Sequence, residues 1–190
     1  MKKRFKSATA DLPTSGRLSF WLVTRRQRIA KRYVRGRVLD FGCGGGGIAE
    51  VCAPDSYVGF DIDPRMVEIA RNEWPEHRYE TSVPADERFD TVCAIAVIEH
   101  LPDPGSHLRE WAGWLNPGGR IVLTTPHPQL EWVHTAGAKV GVFSQHAHEG
   151  HEDLIDRAAM EKLVAGTNLR LTTYRRFLMG ANQLFVLTAT

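Results

Sequence analysis

Hydrophobic and polar residues follow two alternating patterns along the chain. Short apolar runs, of the kind that form strands buried on both faces of a sheet, alternate with segments whose apolar residues recur at helical spacing. Because parallel strands need crossover connections, this alternation predicts a mostly parallel sheet with helices on both faces, an α/β fold. Strands are predicted at 37–41, 57–61, 78–83, 89–94 and 120–125.

Start and stop signals place the helices between these strands. A basic amphipathic helix is predicted over 17–33, where apolar residues recur every three or four positions among arginines. A second helix is predicted from Ile48, and a third after Asp63-Pro64, because aspartate is a favoured N-cap and proline a favoured first helical residue. Two further helices are predicted at 106–115 and after Asp156, and two final strands at 169–177 and 183–190.

The length and composition indicate one domain. A chain of 190 residues that is 43% hydrophobic buries one core and is too short for two ordinary domains. We predict a flexible segment over 1–16, a single domain over 17–190, and within it an acceptor-binding lid over 127–152, which lacks clear periodicity. No apolar run approaches the ~18 residues of a membrane-spanning helix, and a cytoplasmic location is expected.

Basic residues are concentrated near the amino terminus. Residues 1–37 contain twelve Lys or Arg and one acidic residue, Asp11, although the whole chain has a net charge of only +2. Such a run most often forms a solvated helix face. The alternative is a basic flap that contacts an anion: a cofactor carboxylate, a phosphorylated acceptor, nucleic acid or a membrane surface. In that case Arg25, Arg26 or Arg28 is expected to reach the anion, and spacing does not choose among them.

A glycine-rich turn follows the first predicted strand. The segment 42–47 satisfies both G-x-G-x-x-G, the dinucleotide pattern, and G-x-G-x-G. Asp40 precedes the turn by two residues, where its carboxylate repels a pyrophosphate and attracts a ligand that carries an ammonium group. Asp61 ends the second strand, a position from which an acid accepts hydrogen bonds from ribose hydroxyls.

Five segments in order resemble the successive motifs of the class I S-adenosylmethionine-dependent methyltransferases. From the fourth strand onward they are most similar to the O-methyltransferases of ubiquinone synthesis. The resemblance covers about 38–126, and five motifs in the right order are far more specific than one. The segments are Val38-Leu-Asp-Phe-Gly-Cys-Gly-Gly-Gly-Gly47, Asp61-Ile-Asp63, Phe89-Asp90, Glu99-His-Leu-Pro-Asp-Pro104 and Leu115-Asn-Pro-Gly-Gly119.

The resemblance implies a Rossmann-like three-layer αβα sandwich, with a seven-stranded, mostly parallel sheet whose last strand is antiparallel. It also implies the cofactor S-adenosylmethionine, lying across the ends of the first, second and fourth strands. The glycine turn then meets the methionine part, and the acid at the second strand holds the ribose. Ile62, Ser82 and Val83 flank the adenine, and the residues near Ala94 and Ile95 touch the methionine end. The residues expected to bind the cofactor are Asp40, Gly42, Gly44, Gly46, Asp61, Ile62, Ser82, Val83, Ala94 and Ile95.

Two histidines are candidate catalytic bases, since an oxygen acceptor has to lose a proton. His100 follows the fourth strand and His127 follows the fifth, and an imidazole with a pKa of about 6.5 accepts a proton at neutral pH. The structural alternative for His100 is that it orders its loop by hydrogen bonding. Glu99 is interpreted as a loop anchor or cofactor contact.

No metal is expected. The ubiquinone enzymes carry a further Glu three residues before their Glu-His pair, whereas this chain has Ala96 there. The run His146-x-His148-x-x-His151 lacks the spacing of a standard zinc module, and substrate contact or a solvated loop is the favoured interpretation.

The sequence therefore predicts a methyltransferase acting on a small molecule, with an oxygen nucleophile favoured and an anionic acceptor left open. The alternatives are a nucleic-acid methyltransferase, a non-catalytic S-adenosylmethionine-binding protein and an NAD-dependent oxidoreductase. Nucleic acid is disfavoured because 94–100 lacks the Asn/Asp-Pro-Pro-Tyr/Phe motif of base-nitrogen methyltransferases. Peripheral membrane contact is an alternative role for the basic helix. The sequence does not indicate the oligomeric state.

Overall fold

The computed structural model describes residues 17–84, 86–128 and 155–190. Helices and strands are interspersed from Arg17 to Pro126, although two pairs of successive strands are joined without an α-helix between them. The strands are β1 Val38–Phe41, β2 Tyr57–Phe60, β3 Arg78–Glu80, β4 Phe89–Ile95, β5 Leu115–Pro126, β6 Leu169–Phe177 and β7 Asn182–Ala189. The helices are α1 Arg17–Ala30, α2 Pro64–Glu73, α3 Pro104–Gly113 and α4 Arg157–Val164.

All seven strands form one sheet in the order β3-β2-β1-β4-β5-β7-β6. The pairs among β1 to β5 are parallel, and β7 runs antiparallel to both β5 and β6. The predicted seven-stranded, mostly parallel sheet with its last strand antiparallel is therefore confirmed.

Helices cover both faces of this sheet, which gives the predicted three layers. On one face α3 and α4 pack against the sheet through buried residues such as Trp111 and Met160. On the other face α1 and α2 contribute Ala30, Val67 and Ala70 to a second buried cluster. A sheet buried on both faces explains why its central strands are almost uniformly apolar.

The predicted helix starts are confirmed where an aspartate caps the first turn. The Asp63 carboxylate accepts the backbone N–H of Arg65, and Pro64 follows as the first helical residue. The Asp156 carboxylate accepts the N–H of Ala159 at 2.8 Å. Each cap satisfies a backbone donor that has no partner within its own helix.

Three predicted elements differ clearly from the structure. The fifth strand begins at Leu115 instead of Arg120, because Leu115 already pairs with Phe89 of β4, so the predicted turn at 116–119 lies within the bounds of β5. The helix predicted from Ile48 is only a 3₁₀ turn, Gly47–Val51, because Pro54 follows closely and biases the residue before it toward an extended backbone. The third strand ends at Glu80 instead of reaching Val83, since pairing with β2 stops where β2 itself ends, at Phe60.

Among the described residues no helix is both long and apolar enough to cross a bilayer. The predicted amino-terminal segment 1–16 lies outside the described residues, as does the predicted lid from 129 onward. The single-domain boundary at 17 and the lid therefore stay predictions.

Candidate functional site

The carboxyl ends of β1, β2 and β4 meet at one edge of the sheet. Phe41 pairs with Phe60 at the ends of β1 and β2, and Asp40 pairs with Cys93 in β4. The glycine turn after β1 and the loop after β2 therefore lie side by side, as expected for neighbouring parallel strands. In open α/β sheets this edge is where ligands bind.

The glycine turn has a left-handed backbone at three positions, Gly42 (φ 71°), Gly44 (φ 50°) and Gly46 (φ 71°). Only glycine adopts these angles without strain. The N–H groups of Gly42 and Cys43 both donate to the carbonyl oxygen of Phe60, at 2.8 and 2.9 Å. These bonds tie the turn to the end of β2.

The three glycines face different surroundings. A Cβ at Gly42 would lie 2.6 Å from Val97 Cγ2, and a Cβ at Gly46 would lie 2.6 Å from Tyr79 Oη. A Cβ at Gly44 would meet no described atom within 4 Å. Gly44 thus faces open space, while Gly42 and Gly46 are needed for close packing inside the protein.

This contrast predicts different costs for alanine at two positions of the turn. Gly44→Ala is expected to lower the free energy of unfolding by about 1 kcal/mol, from left-handed backbone strain alone. Gly46→Ala adds the clash with Tyr79 and is expected to cost about 3 kcal/mol. Urea unfolding of both variants measures the difference. Equal destabilisation would contradict the assignment of Gly44 to an open face.

Asp61 joins the two loops. Its Oδ2 accepts the backbone N–H of Gly44 at 2.9 Å, and its Oδ1 accepts the N–H of Asp63 at 3.0 Å. Each carboxylate oxygen has a second lone pair, and the side chain is only half buried. Asp61 can therefore accept hydrogen bonds from a ligand while it holds the glycine turn in place.

Asp40 is more enclosed than its place in the motif predicts. Its side chain is 2% exposed, and its Oδ2 accepts the hydroxyl of Tyr57 at 2.8 Å. Burial raises the pKa of Asp40 to about 7, an effect that the Tyr57 hydrogen bond and the Lys31 charge oppose and the Asp61 charge increases. Any influence of Asp40 on a ligand at the glycine turn is therefore electrostatic. No sequence motif indicates its contact with Tyr57.

The remaining predicted cofactor residues line the same edge with different exposures. Ile62 is 83% exposed. Ser82 is exposed and Val83 half-buried, beyond the end of β3. Ala94 is fully buried, whereas Ile95 is half-buried at the end of β4.

The two candidate bases occupy different environments. His100 is exposed and ends a 3₁₀ turn, Ile98–His100, that follows β4. His127 is 6% exposed, and its backbone N–H donates to the carbonyl of Ala181. Burial, followed by the charge of Arg176, lowers the pKa of His127, so its ring is neutral at pH 7. Both stay candidates, and His127 is the more enclosed.

Only one of the three arginines singled out on α1 turns toward the protein. Arg25 and Arg28 are exposed, and the Arg25 guanidinium lies 5.3 Å from the ring centre of Trp21. Arg26 is partly buried, and its Nε donates to Asn182 Oδ1 at 2.6 Å. Asn182 and Arg26 lie far apart in the sequence, so only the folded chain brings them together.

No group of three or more His, Cys, Asp or Glu side chains capable of holding a metal lies within 17–84, 86–128 and 155–190. The histidines at 134, 146, 148 and 151 are outside those ranges.

The three cysteines are free thiols, and burial raises the pKa of Cys52 to about 11. Cys43 and Cys93 are buried in one apolar cluster and the half-buried Cys52 packs against it, which agrees with a packing role.

Comparison with known proteins identifies the family. The sequence profile described as a methyltransferase domain matches residues 17–174. The ubiquinone biosynthesis O-methyltransferase of Xanthomonas euvesicatoria pv. vesicatoria is 36% identical over 105 residues, which are 47% of this chain and 42% of that enzyme. Its counterpart from Xanthomonas campestris pv. campestris gives the same identity and coverage. The matched part thus spans less than half the length of these curated relatives.

Solved structures share the fold across nearly the whole chain. The magnesium protoporphyrin IX methyltransferase of Synechocystis PCC 6803, with S-adenosylhomocysteine bound, has a TM-score of 0.68 at 16% identity and covers 96% of this chain and 90% of its own. The N-methyltransferase NodS of Bradyrhizobium japonicum WM9, also with S-adenosylhomocysteine, has a TM-score of 0.63 at 16% identity and covers 95% and 90%. At these identities the likeness extends to the fold and not to the acceptor.

The profile match covers far more than half of the chain, and the Rossmann-like topology agrees with it. The family predicted from the five motifs is therefore confirmed: this chain belongs to the methyltransferase domain family.

Proposed function

We propose that the chain transfers a methyl group from S-adenosylmethionine to an oxygen nucleophile of a small molecule. The observation that carries the proposal is the glycine turn, whose open position at Gly44 lies directly against the carboxylate of Asp61. Family membership and the cofactor bound to the structural neighbours support the reaction class. The printed activity of the 36% identical relatives supports an oxygen acceptor.

The residues at the sheet edge fit this cofactor. The open backbone at Gly44 leaves room for the methionine part, and the free lone pairs of Asp61 suit ribose hydroxyls. The exposed Ile62 side chain offers an apolar surface for the adenine. Of the three arginines singled out on α1, Arg26 is the partly buried one, and its Nε–H donates to Asn182.

When bound, S-adenosylmethionine supplies a methyl group on a positively charged sulfur. The protein then has to align the acceptor with that methyl group and exclude water. The predicted lid is the segment assigned to water exclusion, and His100 or His127 is assigned to hold the proton that the acceptor loses.

The cofactor assignment is tested by calorimetric titration with S-adenosylmethionine, S-adenosylhomocysteine and NAD separately. We expect the two S-adenosyl compounds to bind and NAD not to bind. The next step is incubation with S-adenosylmethionine and a panel of small hydroxylated compounds, with S-adenosylhomocysteine formation as the readout. Binding of NAD alone would overturn the proposal, and turnover only with RNA would replace the small-molecule acceptor by nucleic acid.

The base assignment predicts a difference between two histidine variants. Replacing the true base is expected to slow turnover about 10²-fold or more, because general-base catalysis contributes that much. If His127→Ala is the slow variant, wild-type turnover falls only below pH 6.5, since the pKa of His127 is lowered and the neutral ring is the active form. Normal rates in both variants between pH 6 and 9 would show that neither histidine is the base.

A further inference from the structure

Two buried polar atoms, one on the turn after β4 and one at the start of β7, have no hydrogen-bond partner. They are Glu99 Oε2 and Asn182 Nδ2, two of the unpaired atoms among the described residues. The Asn182 side chain is 0% exposed. Buried polar groups in proteins are almost always bonded, so a free acceptor and a free donor at the same edge of the sheet indicate a binding place for a polar group.

These atoms are held in fixed positions. Asn182 pairs with Pro126 at the end of the β5–β7 ladder, and its Oδ1 accepts the Nε–H of Arg26. That bond fixes the orientation of the amide and leaves its N–H₂ group as a free donor. The neighbouring Gln183 differs, because its amide donates to the carbonyls of Pro126 and Ile155.

Glu99 lies on the turn after β4 and is linked to Asn182 through Arg26, which donates to Asn182 and whose charge acts on Glu99. Burial raises the pKa of Glu99, an effect that a hydrogen bond from the Thr125 hydroxyl and the charges of His100 and Arg26 oppose. The positive charge of Arg26 and the negative charge of Glu99 offset each other. The site therefore has no net charge to attract an anion, and its one free carboxylate oxygen accepts a hydrogen bond.

We propose that Glu99, Thr125 and Asn182 form the subsite for the reacting end of the methyl acceptor, and that this end is an uncharged hydroxyl group. A hydroxyl donates to Glu99 Oε2 and accepts from Asn182 Nδ2, which satisfies both orphaned atoms at once. An anionic group in the same place is repelled by the Glu99 carboxylate and gains only one hydrogen bond, from the Asn182 amide. This inference rests on the proposed function and names the acceptor chemistry at that site.

Three fragments of similar shape test the subsite in the full chain saturated with S-adenosylhomocysteine: phenol, benzoate and anisole. We expect calorimetry or NMR titration to show phenol binding at least tenfold more tightly than either of the others, because only phenol is an uncharged hydroxyl donor. Glu99→Gln and Thr125→Val keep the shape of their side chains, and Asn182→Asp keeps the oxygen that Arg26 contacts. Each variant is expected to weaken phenol binding about tenfold and to leave S-adenosylhomocysteine binding unchanged.

The control is Glu76→Gln, an exposed glutamate on the turn after α2, which is expected to change neither affinity. Tighter binding of benzoate than of phenol, or no binding of any fragment to the wild-type complex, would overturn the subsite. Loss of S-adenosylhomocysteine binding in folded Glu99→Gln and Asn182→Asp would assign these atoms to the cofactor instead. A wild-type protein that does not bind S-adenosylhomocysteine would instead refute the proposed function itself.

Discussion

Asp40→Asn is expected to yield a protein that is more stable at pH 8 and binds S-adenosylmethionine at least tenfold more weakly. The buried carboxylate of Asp40 is costly to ionise, since its pKa rises from an ordinary 3.8 to about 7. A shift of that size corresponds to ~4 kcal/mol of unfolding free energy lost when the group is charged. An amide has no charge to bury, although its N–H₂ group needs an acceptor, so a net gain of about 2 kcal/mol is expected.

The sign of the pH dependence follows from the raised pKa. Below pH 3.8 Asp40 is protonated in both the folded and the unfolded chain and contributes nothing. As the pH rises toward 7, the unfolded chain ionises freely while the folded chain resists, so this group destabilises the fold progressively. Cofactor binding has the opposite trend, because the ammonium group of the cofactor favours ionised Asp40.

Urea unfolding and calorimetric titration at pH 6 and pH 8 test both expectations. Wild-type affinity for S-adenosylmethionine should rise between these values, and the Asp40→Asn affinity should change less. Asp55→Asn, at an exposed position just before β2, is the control and should alter neither quantity. Equal affinity of wild type and Asp40→Asn at pH 8 would remove Asp40 from the cofactor site.

Asp61→Ala is expected to weaken S-adenosylmethionine binding by about 1 to 3 kcal/mol, which is roughly fivefold to more than a hundredfold. Two effects combine in this variant. The ligand loses a charged acceptor for its ribose hydroxyls, and the N–H groups of Gly44 and Asp63 lose the carboxylate that holds the two loops together. Asp61→Asn keeps one acceptor oxygen and is expected to have an intermediate affinity.

A neighbouring carboxylate provides the matched control for Asp61. Asp63 caps α2, so Asp63→Ala is expected to lower the free energy of unfolding by ~1 kcal/mol and to leave cofactor affinity unchanged. Calorimetry and urea unfolding of the three variants separate loop order from ligand contact. An unchanged affinity in Asp61→Ala would exclude the ribose role, whatever its effect on stability.

The fold was predictable from the sequence because its signals are local. The apolar runs of β1, β4 and β5 and the caps at Asp63 and Asp156 depend on residues close in the chain. The wrong prediction of a helix from Ile48 has the same origin. A glycine run followed by a helix fits the local motif, but the motif takes no account of how few residues remain before β2 begins. The motif resemblance added that the seven strands form one sheet and that the last strand is antiparallel.

The site was predictable in part. Motif order placed Asp61 and the glycine turn at the same edge, and the structure joins them through a direct hydrogen bond. Sequence spacing could not distinguish Arg26 from Arg25 and Arg28, because one position along a helix turns a side chain by about 100° and only packing decides which one faces inward. It also gave no reason to pair Arg26 with Asn182.

By itself, the sequence determined the α/β class, the glycine turn and the family, because hydrophobic period, capping residues and ordered motifs are properties of neighbouring positions. Only the tertiary structure decided that Asp40 is buried against Tyr57 and that Gly44 alone among the three left-handed glycines of the glycine turn faces open space. Only the tertiary structure also linked Glu99 to Asn182 through Arg26. The physical reason is that burial and charge environment arise from contacts between segments distant in the chain. These contacts raise the pKa of Asp40 and leave Glu99 Oε2 and Asn182 Nδ2 unpaired.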